Sequence, residues 1–531
     1  MTTASATTGS TVPATLPDRL NACEWLLDRR LAAGDGDRVA VRCRGRDHTY
    51  AELTAEAAAV AAALRHSGVR PEERVLLVMV DGPEMVAAFC GAMRMGAVPV
   101  PLSTMSTPAD LGFLAADSRA RLAVVSEPFL EGGRAMAAGG GGLADLVVCG
   151  GDPGPVTGAA RVHRWDDWLA AGAGADGAPL ATHRDAPAFW LYTSGTTGQP
   201  KGAMHRHADI PFTAETYGSL VLGIRPDDRC FSIAKLFFAY GLGNSLSFPF
   251  SVGATVILEP GPPSPASVAA LVAAERPTLF FATPTFYAGL LAADLPEDTF
   301  ASVRQGVSAG EGLPAPVLER FRERFGVEIL DGLGSTEALH IFLSNRPGAV
   351  VPGSSGTPVP GYQVRLVDDA GAEVDGDEPG HLMVRGESLA TGYWCRTAVT
   401  RRIFCGDWAR TGDMYVRGED GVYRHCGRSD DMLKVGGIWV SPAEVEATLV
   451  AHEDVVEAAV VAESDADGIQ RPVAHVVVRP GRSVSPDDLI EFCRARLAAF
   501  KRPRRVVLCE QLPKTATGKI QRFKLRSHDH G

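Results

Sequence analysis

The sequence predicts an α/β protein: a large N-terminal domain of two α/β subdomains plus a β-rich subdomain, followed by a small α+β C-terminal domain. Three observations predict it. At 531 residues the chain is too long for one hydrophobic core, so several structural units are expected. Continuous apolar strands alternate with helix-period segments in two successive series, the pattern of parallel sheets covered by helices. From Gly356 the pattern turns to short alternating strands broken by turn residues, and from Asp430 a new helix-and-strand series begins.

In order, residues 1–15 are rich in Thr, Ala and Ser, with neither a basic start nor an apolar run; they read as a disordered tail, not a signal peptide or anchor. Asn21 to Ala33 and Tyr50 to Ser67 carry helical apolar spacing, the second opening on the acidic turn Tyr50-Ala51-Glu52-Leu53. Val75 to Val80 is a buried strand, Glu84 to Met95 a helix stopped by Gly96, and Ala97 to Leu102 the next strand. The glycine run Ala138 to Gly142 and the Ala/Gly-rich Ala171 to Gly177 read as flexible connections. Arg229 to Ile233, Ala254 to Leu258, Pro265 to Glu275, Leu279 to Ala282, Pro284 to Ala292 and Pro314 to Phe325 make the second series. Turn signals at Pro360-Gly361, Asp369-Ala370-Gly371 and Glu419-Asp420-Gly421 mark a β-rich subdomain over about 356–424 within an N-terminal domain of 16–429. The C-terminal domain, 430–531, has helices Pro442 to His452 and Pro486 to Phe500 and strands Val455 to Val461 and Pro472 to Val478.

A net charge of -11, with 45% hydrophobic and 22% charged residues, describes a soluble enzyme without general affinity for polyanions. Nucleic acid is not an expected partner. Ten cysteines with no Cys-x-x-Cys pair indicate neither a zinc site nor a disulfide framework and fit a reducing cytoplasm. No apolar run approaches the ~20 residues of a membrane helix, so no membrane association is expected.

Leu191 to Gly202, Leu-Tyr-Thr-Ser-Gly-Thr-Thr-Gly-Gln-Pro-Lys-Gly, is the stretch richest in chemistry and is expected to be neither helix nor packed strand. Glycines Gly195 and Gly198 let the backbone approach a ligand, Thr193, Ser194, Thr196 and Thr197 add neutral donors, and Lys201 adds a cation. Such a loop grips an oligophosphate; an ordinary polar surface loop is the alternative. It is not the Gly-Lys-Ser/Thr loop of kinases and GTPases, because Pro200 precedes Lys201 and Gly202 follows it. In order, the string resembles the phosphate-binding signature of the adenylate-forming superfamily of acyl-CoA synthetases, carrier-protein adenylation domains and luciferases.

Five further segments extend this resemblance from about Asn21 to Arg526. Ser308-Ala309-Gly310-Glu311-Gly312-Leu313-Pro314 and Asp331-Gly332-Leu333-Gly334-Ser335-Thr336-Glu337 are similar to the segments that hold adenine and ATP's metal. Thr411-Gly412-Asp413 resembles the ribose site, and Gly427-Arg428-Ser429-Asp430 the hinge, with Asp430 as the pivot of a mobile C-terminal domain. Pro513-Lys514-Thr515-Ala516-Thr517-Gly518-Lys519 resembles the catalytic-lysine loop.

The resemblance implies that a carboxylate and ATP give an acyl-adenylate and pyrophosphate, and that a thiol then gives a thioester and AMP. A carboxylate must approach an α-phosphate that already carries negative charge, so cations and donors must offset the crowding. Lys519 is assigned to the α-phosphate, Mg²⁺ near Glu337 to the polyphosphate, and the Thr193 to Lys201 loop to pyrophosphate. Asp413 accepts both ribose hydroxyls, with Arg428 beside it. From composition alone Lys519 reads as a solvated lysine, Asp413 as a turn residue, and Glu337 as flanking a helix that starts near Ser335. Lys434 is assigned to the second catalytic face of the C-terminal domain, opposite Lys519.

Lys235-Leu236-Phe237-Phe238-Ala239-Tyr240-Gly241-Leu242-Gly243 and Leu339-His340-Ile341-Phe342-Leu343-Ser344-Asn345 resemble the acyl pocket of the benzoate-CoA ligase branch. No acid occurs between Lys235 and Phe250, which disfavours an amino acid substrate because its buried ammonium would lack a counter-charge. Ala239, Tyr240, Leu333, Gly334, Leu339, His340 and Ile341 make a flat apolar slot with two polar tips, Tyr240 and His340, either of which is otherwise a hydrogen-bonded core residue. Benzoate and the hydroxybenzoates, salicylate included, stay open.

For coenzyme A, the resemblance implies Phe500 and Arg502 at the nucleotide and Gly436-Gly437 along the pantetheine tunnel. The tryptophan that stacks on CoA in a related ligase has no counterpart in Asp465 to Pro472. An acyl-carrier protein as thiol acceptor and a non-catalytic nucleotide-binding regulator are the other readings, and a homodimer stays open.

Overall fold

The computed structural model describes residues 16–139, 141–154, 158, 160–194, 199–374, 376, 378–429, 432–435, 438–464, 470–514 and 520–525. The expected tail at residues 1–15 lies outside them.

The first α/β unit is a five-stranded sheet in the order Val98–Pro101, Arg74–Val78, Leu122–Ser126, Asp145–Cys149, Arg161–Arg164, and each pairing is parallel. Its inner strands Arg74–Val78 and Leu122–Ser126 are buried on both faces, as a place between helix layers requires, while the edge strand Arg161–Arg164 is polar and partly exposed. Tyr50–His66 covers it, entered through a capping box in which Thr49 accepts from the Glu52 amide and Glu52 accepts from the Thr49 amide.

The second unit is a nine-stranded sheet. Val39–Cys43, Thr255–Leu258, Arg229–Ser232, Leu279–Ala282, Gln305–Ser308 and Ile329–Gly334 are its adjacent parallel strands. Ile341–Ser344 and Thr357–Pro358 extend one end, and Arg46–Thr49 the other, all antiparallel. The β-rich unit is antiparallel and comprises Gln363–Val367, Gly380–Arg385, Phe404–Cys405, Trp408–Arg417 and Tyr423–Arg428. At the C-terminal end Val455–Ser464, Gln470–Val478 and Arg505–Cys509 form a three-stranded sheet beside the helices Pro442–Val450 and Pro486–Arg494. One apolar cluster joins Phe280, Phe321 and Phe325 of the second unit to Val445, Leu449 and Leu489 of the C-terminal unit. Among the described residues no helix is long and apolar enough to cross a membrane.

Four local expectations change. The ends of the phosphate stretch are strands, Pro187–Ser194 paired antiparallel with Pro200–Arg206, because Leu191 and Ala203 on its two arms are buried. The Ala/Gly-rich connection is packed as well: a Cβ on Gly172 would lie 2.4 Å from Ala63 Cα, and one on Gly177 2.6 Å from the Ala58 carbonyl oxygen. Those glycines are spacers that let the chain lie against the Tyr50–His66 helix. The helix from Pro486 stops at Arg494, where the chain turns Leu497 into the core and makes a 3-10 turn over Ala499–Lys501. No helix starts near Ser335; residues 335–339 form a turn in which the Ser335 hydroxyl accepts from the Ala338 amide at 3.1 Å.

Candidate active site

The phosphate stretch is a hairpin whose tip, Gly195, Thr196, Thr197 and Gly198, lies outside the described residues, while Thr193 pairs with Lys201 and Ser194 with Pro200 across its stem. Lys201 is only 8% exposed. Burial lowers its pKa, opposed by the charge of Glu337 and reinforced by that of Arg402, so these three charges share one neighbourhood. The Lys201 ammonium stands 5.1 Å from the centroid of the Tyr393 ring.

Glu337 lies on the turn that follows the strand Ile329–Gly334, and neighbours fix both its backbone and its carboxylate. His205 Nε2 donates to the Thr336 carbonyl at 2.9 Å, the Ala390 amide to the Glu337 carbonyl at 2.8 Å, and the Ser388 hydroxyl to the Ala338 carbonyl at 2.8 Å. The Tyr393 hydroxyl donates to Glu337 Oε1 at 2.6 Å. His205 is itself anchored, with Nδ1 3.0 Å from Asp209 and its ring stacked on Phe189.

Asp413 and Arg428 face each other across antiparallel strands and meet at 3.0 Å. Burial alone would raise the Asp413 pKa, but hydrogen bonds and charge from His425 and Arg428 outweigh it and hold the carboxyl down at about 2. Gly412, at φ 78°, makes this approach feasible: a Cβ there would sit 2.7 Å from an Arg428 nitrogen. Ser308, Ala309, Gly310 and Glu311 lead out of the strand Gln305–Ser308, beside Asp331 on the next strand. Asp331 is buried, which pushes its pKa up to about 7 against donation from the Leu313 amide and its neighbours Ser308 and Gly332.

The residues expected to line the aryl slot are brought together as well. Tyr240, on the short helix Ala239–Leu242, and His340 have ring centroids 5.6 Å apart, and His340 is also flanked by Tyr217 and Phe248 at 5.3 and 4.5 Å. Leu333 and Gly334 pair with Leu343 and Ile341, which puts one wall on two neighbouring strands. Leu339 reaches its place through the left-handed region at φ 68°, an uncommon conformation for a leucine. Both polar tips have protein partners. The Tyr240 hydroxyl donates to the Val307 carbonyl at 3.1 Å, and His340 Nε2 lies 3.2 Å from the side-chain oxygen of Asn244. Burial drives the His340 pKa down to about 3, opposed by the Tyr240 carbonyl, so the ring is neutral. Nε2 donates to Asn244, and Nδ1 is left as a buried acceptor with no partner among the described residues.

Lys519, Asp430, Gly436 and Gly437 lie outside the described residues, and only the backbone of Ser194, Lys434 and Phe500 is described. Arg502 donates from Nε to the Leu497 carbonyl at 2.9 Å. The stem of the Lys519 loop is described: the Ile520 amide lies 3.3 Å from Glu311 Oε1, which brings the C-terminal unit against the segment expected to hold the nucleotide.

Residues 28–394 match the model for the AMP-binding enzyme family, and residues 444–519 the model for the AMP-binding enzyme C-terminal domain. The chain belongs to the AMP-binding enzyme family. It is 45% identical over 96% of its length to a benzoate–CoA ligase of Thauera aromatica, covering 97% of that protein. It is 43% identical over 95% of its length to a 4-hydroxybenzoate–CoA/benzoate–CoA ligase of Rhodopseudomonas palustris, covering 94% of it. It superposes with a TM-score of 0.91, at 41% identity and covering 96% and 98% of the two chains, on the anthranilate CoA ligase AuaEII in complex with anthranoyl-AMP. Sequence reasoning about this AMP-binding enzyme missed Tyr393, His205, Asn244 and Arg402. Each acts on a partner dozens of residues away, so no local pattern marks it; only the polar-aromatic character of Tyr393 within the apolar neighbourhood of Ala390 hints at a role.

Proposed function

We propose that the protein is an ATP-dependent aryl acid–CoA ligase that activates a benzoate-type acid as its adenylate and releases aryl-CoA, AMP and pyrophosphate. The observation that carries this reading is the neutral, acid-free slot of Tyr240, His340, Leu339 and Ile341 in a chain that also holds an ionised Asp413–Arg428 pair and a Lys201–Glu337 cluster. A flat ring carboxylate without an ammonium group suits such a slot. The benzoate and hydroxybenzoate ligases among its relatives support it.

In the first step a carboxylate oxygen bonds to the α-phosphorus as the bond to pyrophosphate breaks. Lys519 offsets charge at the α-phosphate, Lys201 and the hairpin tip take the departing pyrophosphate, and Asp413 holds the ribose. The donor set fits magnesium: Glu337 is one hard carboxylate, and among the described residues no group of three His, Cys, Asp or Glu side chains makes a closed metal cage. Mg²⁺ characteristically takes one or two carboxylates together with substrate phosphates, and it would supply further charge neutralisation here. In the second step the thiol sulfur bonds to the acyl carbon and AMP leaves. Phe500, Arg502, Gly436 and Gly437 are assigned to the CoA path, Lys434 to the face used in this step, and Asp430 to the pivot between 16–429 and 430–531. The proximity of Ile520 to Glu311 supports reading the described arrangement as the adenylating one. We place the protein in the cytoplasm.

Product analysis with benzoate and the hydroxybenzoates tests the proposal. AMP, pyrophosphate and an aryl-CoA are expected; ADP, or pyrophosphate exchange provoked by amino acids alone, would overturn it. A carrier protein as acceptor predicts pyrophosphate release without CoA consumption.

A further inference from the structure

We propose that Tyr393 is a positioning residue for adenylation, fixing the spacing between Lys201 of the phosphate hairpin and the carboxylate of Glu337. Residues 391–394 run alongside the strand Pro200–Arg206 and are hydrogen-bonded to it: the Thr391 amide donates to the Met204 carbonyl at 2.9 Å, the Met204 amide to the Gly392 carbonyl at 3.0 Å, and the Trp394 amide to the Gly202 carbonyl at 2.9 Å. Ala203 pairs with Tyr393 in this register. The backbone of Tyr393 is therefore tied to the strand that carries Lys201, while its side chain reaches Glu337.

That side chain is held on every side. The Tyr393 amide donates to the Thr400 hydroxyl at 3.0 Å, the ring packs edge-on against Phe404 at 5.6 Å, and Tyr393 as a whole is 5% exposed. Its hydroxyl gives its one hydrogen to Glu337 Oε1 at 2.6 Å, selecting one orientation of the carboxylate. Its ring face meets the Lys201 ammonium at 5.1 Å, an attraction that offsets part of the cost of burying that charge. The Ala390 amide, three residues earlier, clamps the Glu337 backbone at 2.8 Å. One short segment thus holds the cation assigned to the leaving pyrophosphate and the carboxylate assigned to magnesium.

The inference rests on the adenylation roles given to Lys201 and Glu337, and it separates the two half-reactions. Only the first contains a triphosphate, so thioester formation from a supplied aryl-adenylate needs neither group. Tyr393→Phe keeps the ring and its packing and removes the hydroxyl. Full-length Tyr393→Phe is expected to slow single-turnover pyrophosphate release about 10-fold, as for one hydrogen bond to a charged group. ATP binding should weaken about as much with Mg²⁺ present and stay unchanged in EDTA, and thioester formation from benzoyl-adenylate should also be unchanged. Adding Tyr393→Phe to Glu337→Gln should cost less than about 2-fold more, because the hydroxyl acts through that carboxylate. Equal losses in both half-reactions, or additive losses in the double variant, would overturn the proposal and make Tyr393 a packing residue. Glu337→Gln alone checks the underlying reading: if it spares adenylation, the role of Glu337 falls; if it abolishes adenylation and Tyr393→Phe does not, the role of Tyr393 falls.

Discussion

His340, assigned to the aryl slot, is a neutral ring at neutral pH, because burial drives its pKa down to about 3. With Nε2 committed to Asn244, what it offers is an acceptor at Nδ1, which suits a donor substituent on the substrate ring. His340→Leu is therefore expected to change the kcat/KM ratio of hydroxybenzoate to benzoate by about 10-fold, the worth of one polar contact of ~1.4 kcal/mol. That ratio in the wild type should not vary between pH 6 and 9; an unchanged ratio in the variant with lowered stability would assign the ring to the core alone. Asp331 behaves in the opposite sense. Its folded-state pKa is raised to about 7, so between roughly pH 4 and 7 the folded protein keeps a proton that the unfolded chain has lost, and stability falls as pH rises. Asp331→Asn should flatten this part of the profile, removing a slope worth on the order of 2–4 kcal/mol, as read from urea midpoints at pH 4.5 and 7.

At the scale of elements, legibility followed the range of the forces involved. Pro265–Glu275, Leu279–Ala282 and Pro284–Ala292 fall where apolar spacing and the proline starts put them, because a helix stripe and a buried strand are written within a few residues. The segments assigned to the candidate site could be singled out for the same reason: Asp331 to Glu337 and Thr411 to Asp413 are contiguous strings. What escaped the sequence depends on distant partners. Gly172 sits in an Ala/Gly-rich run that composition assigns to a flexible linker, yet its missing side chain is what lets residues 165–172 approach the Tyr50–His66 helix. Gly172→Ala would place a methyl 2.4 Å from a backbone carbon that cannot step aside. We expect a loss of about 1–3 kcal/mol, the usual cost of overpacking, seen as a lowered Tm with KM for ATP and aryl acid unchanged. A Tm equal to that of the wild type would return the segment to the class of linkers.

Across the whole molecule, the C-terminal unit meets the second unit through the apolar cluster of Phe321, Phe325, Val445 and Leu449 and through the Ile520 amide, 3.3 Å from Glu311 Oε1. Lys434 lies on a separate hairpin, Leu433–Val435 with Ile438–Val440, and we propose that an arrangement presenting Lys519 to an adenylate does not also present this hairpin. On this proposal, rotation about Asp430 lets Lys519 serve the first half-reaction and the Lys434 face the second. The mutant phenotypes should then be asymmetric. Lys519→Ala should lose adenylation by orders of magnitude yet still convert a supplied aryl-adenylate and CoA to the thioester, because its charge serves only the first step. Asp430→Pro fixes φ at the pivot and removes a backbone donor; if it holds the adenylating arrangement it spares pyrophosphate release and blocks thioester formation. Single-turnover measurements of the two half-reactions decide between alternation and a fixed site: equal losses in both steps for Lys519→Ala would mean that both reactions proceed in one arrangement, with the loop at Glu311 throughout.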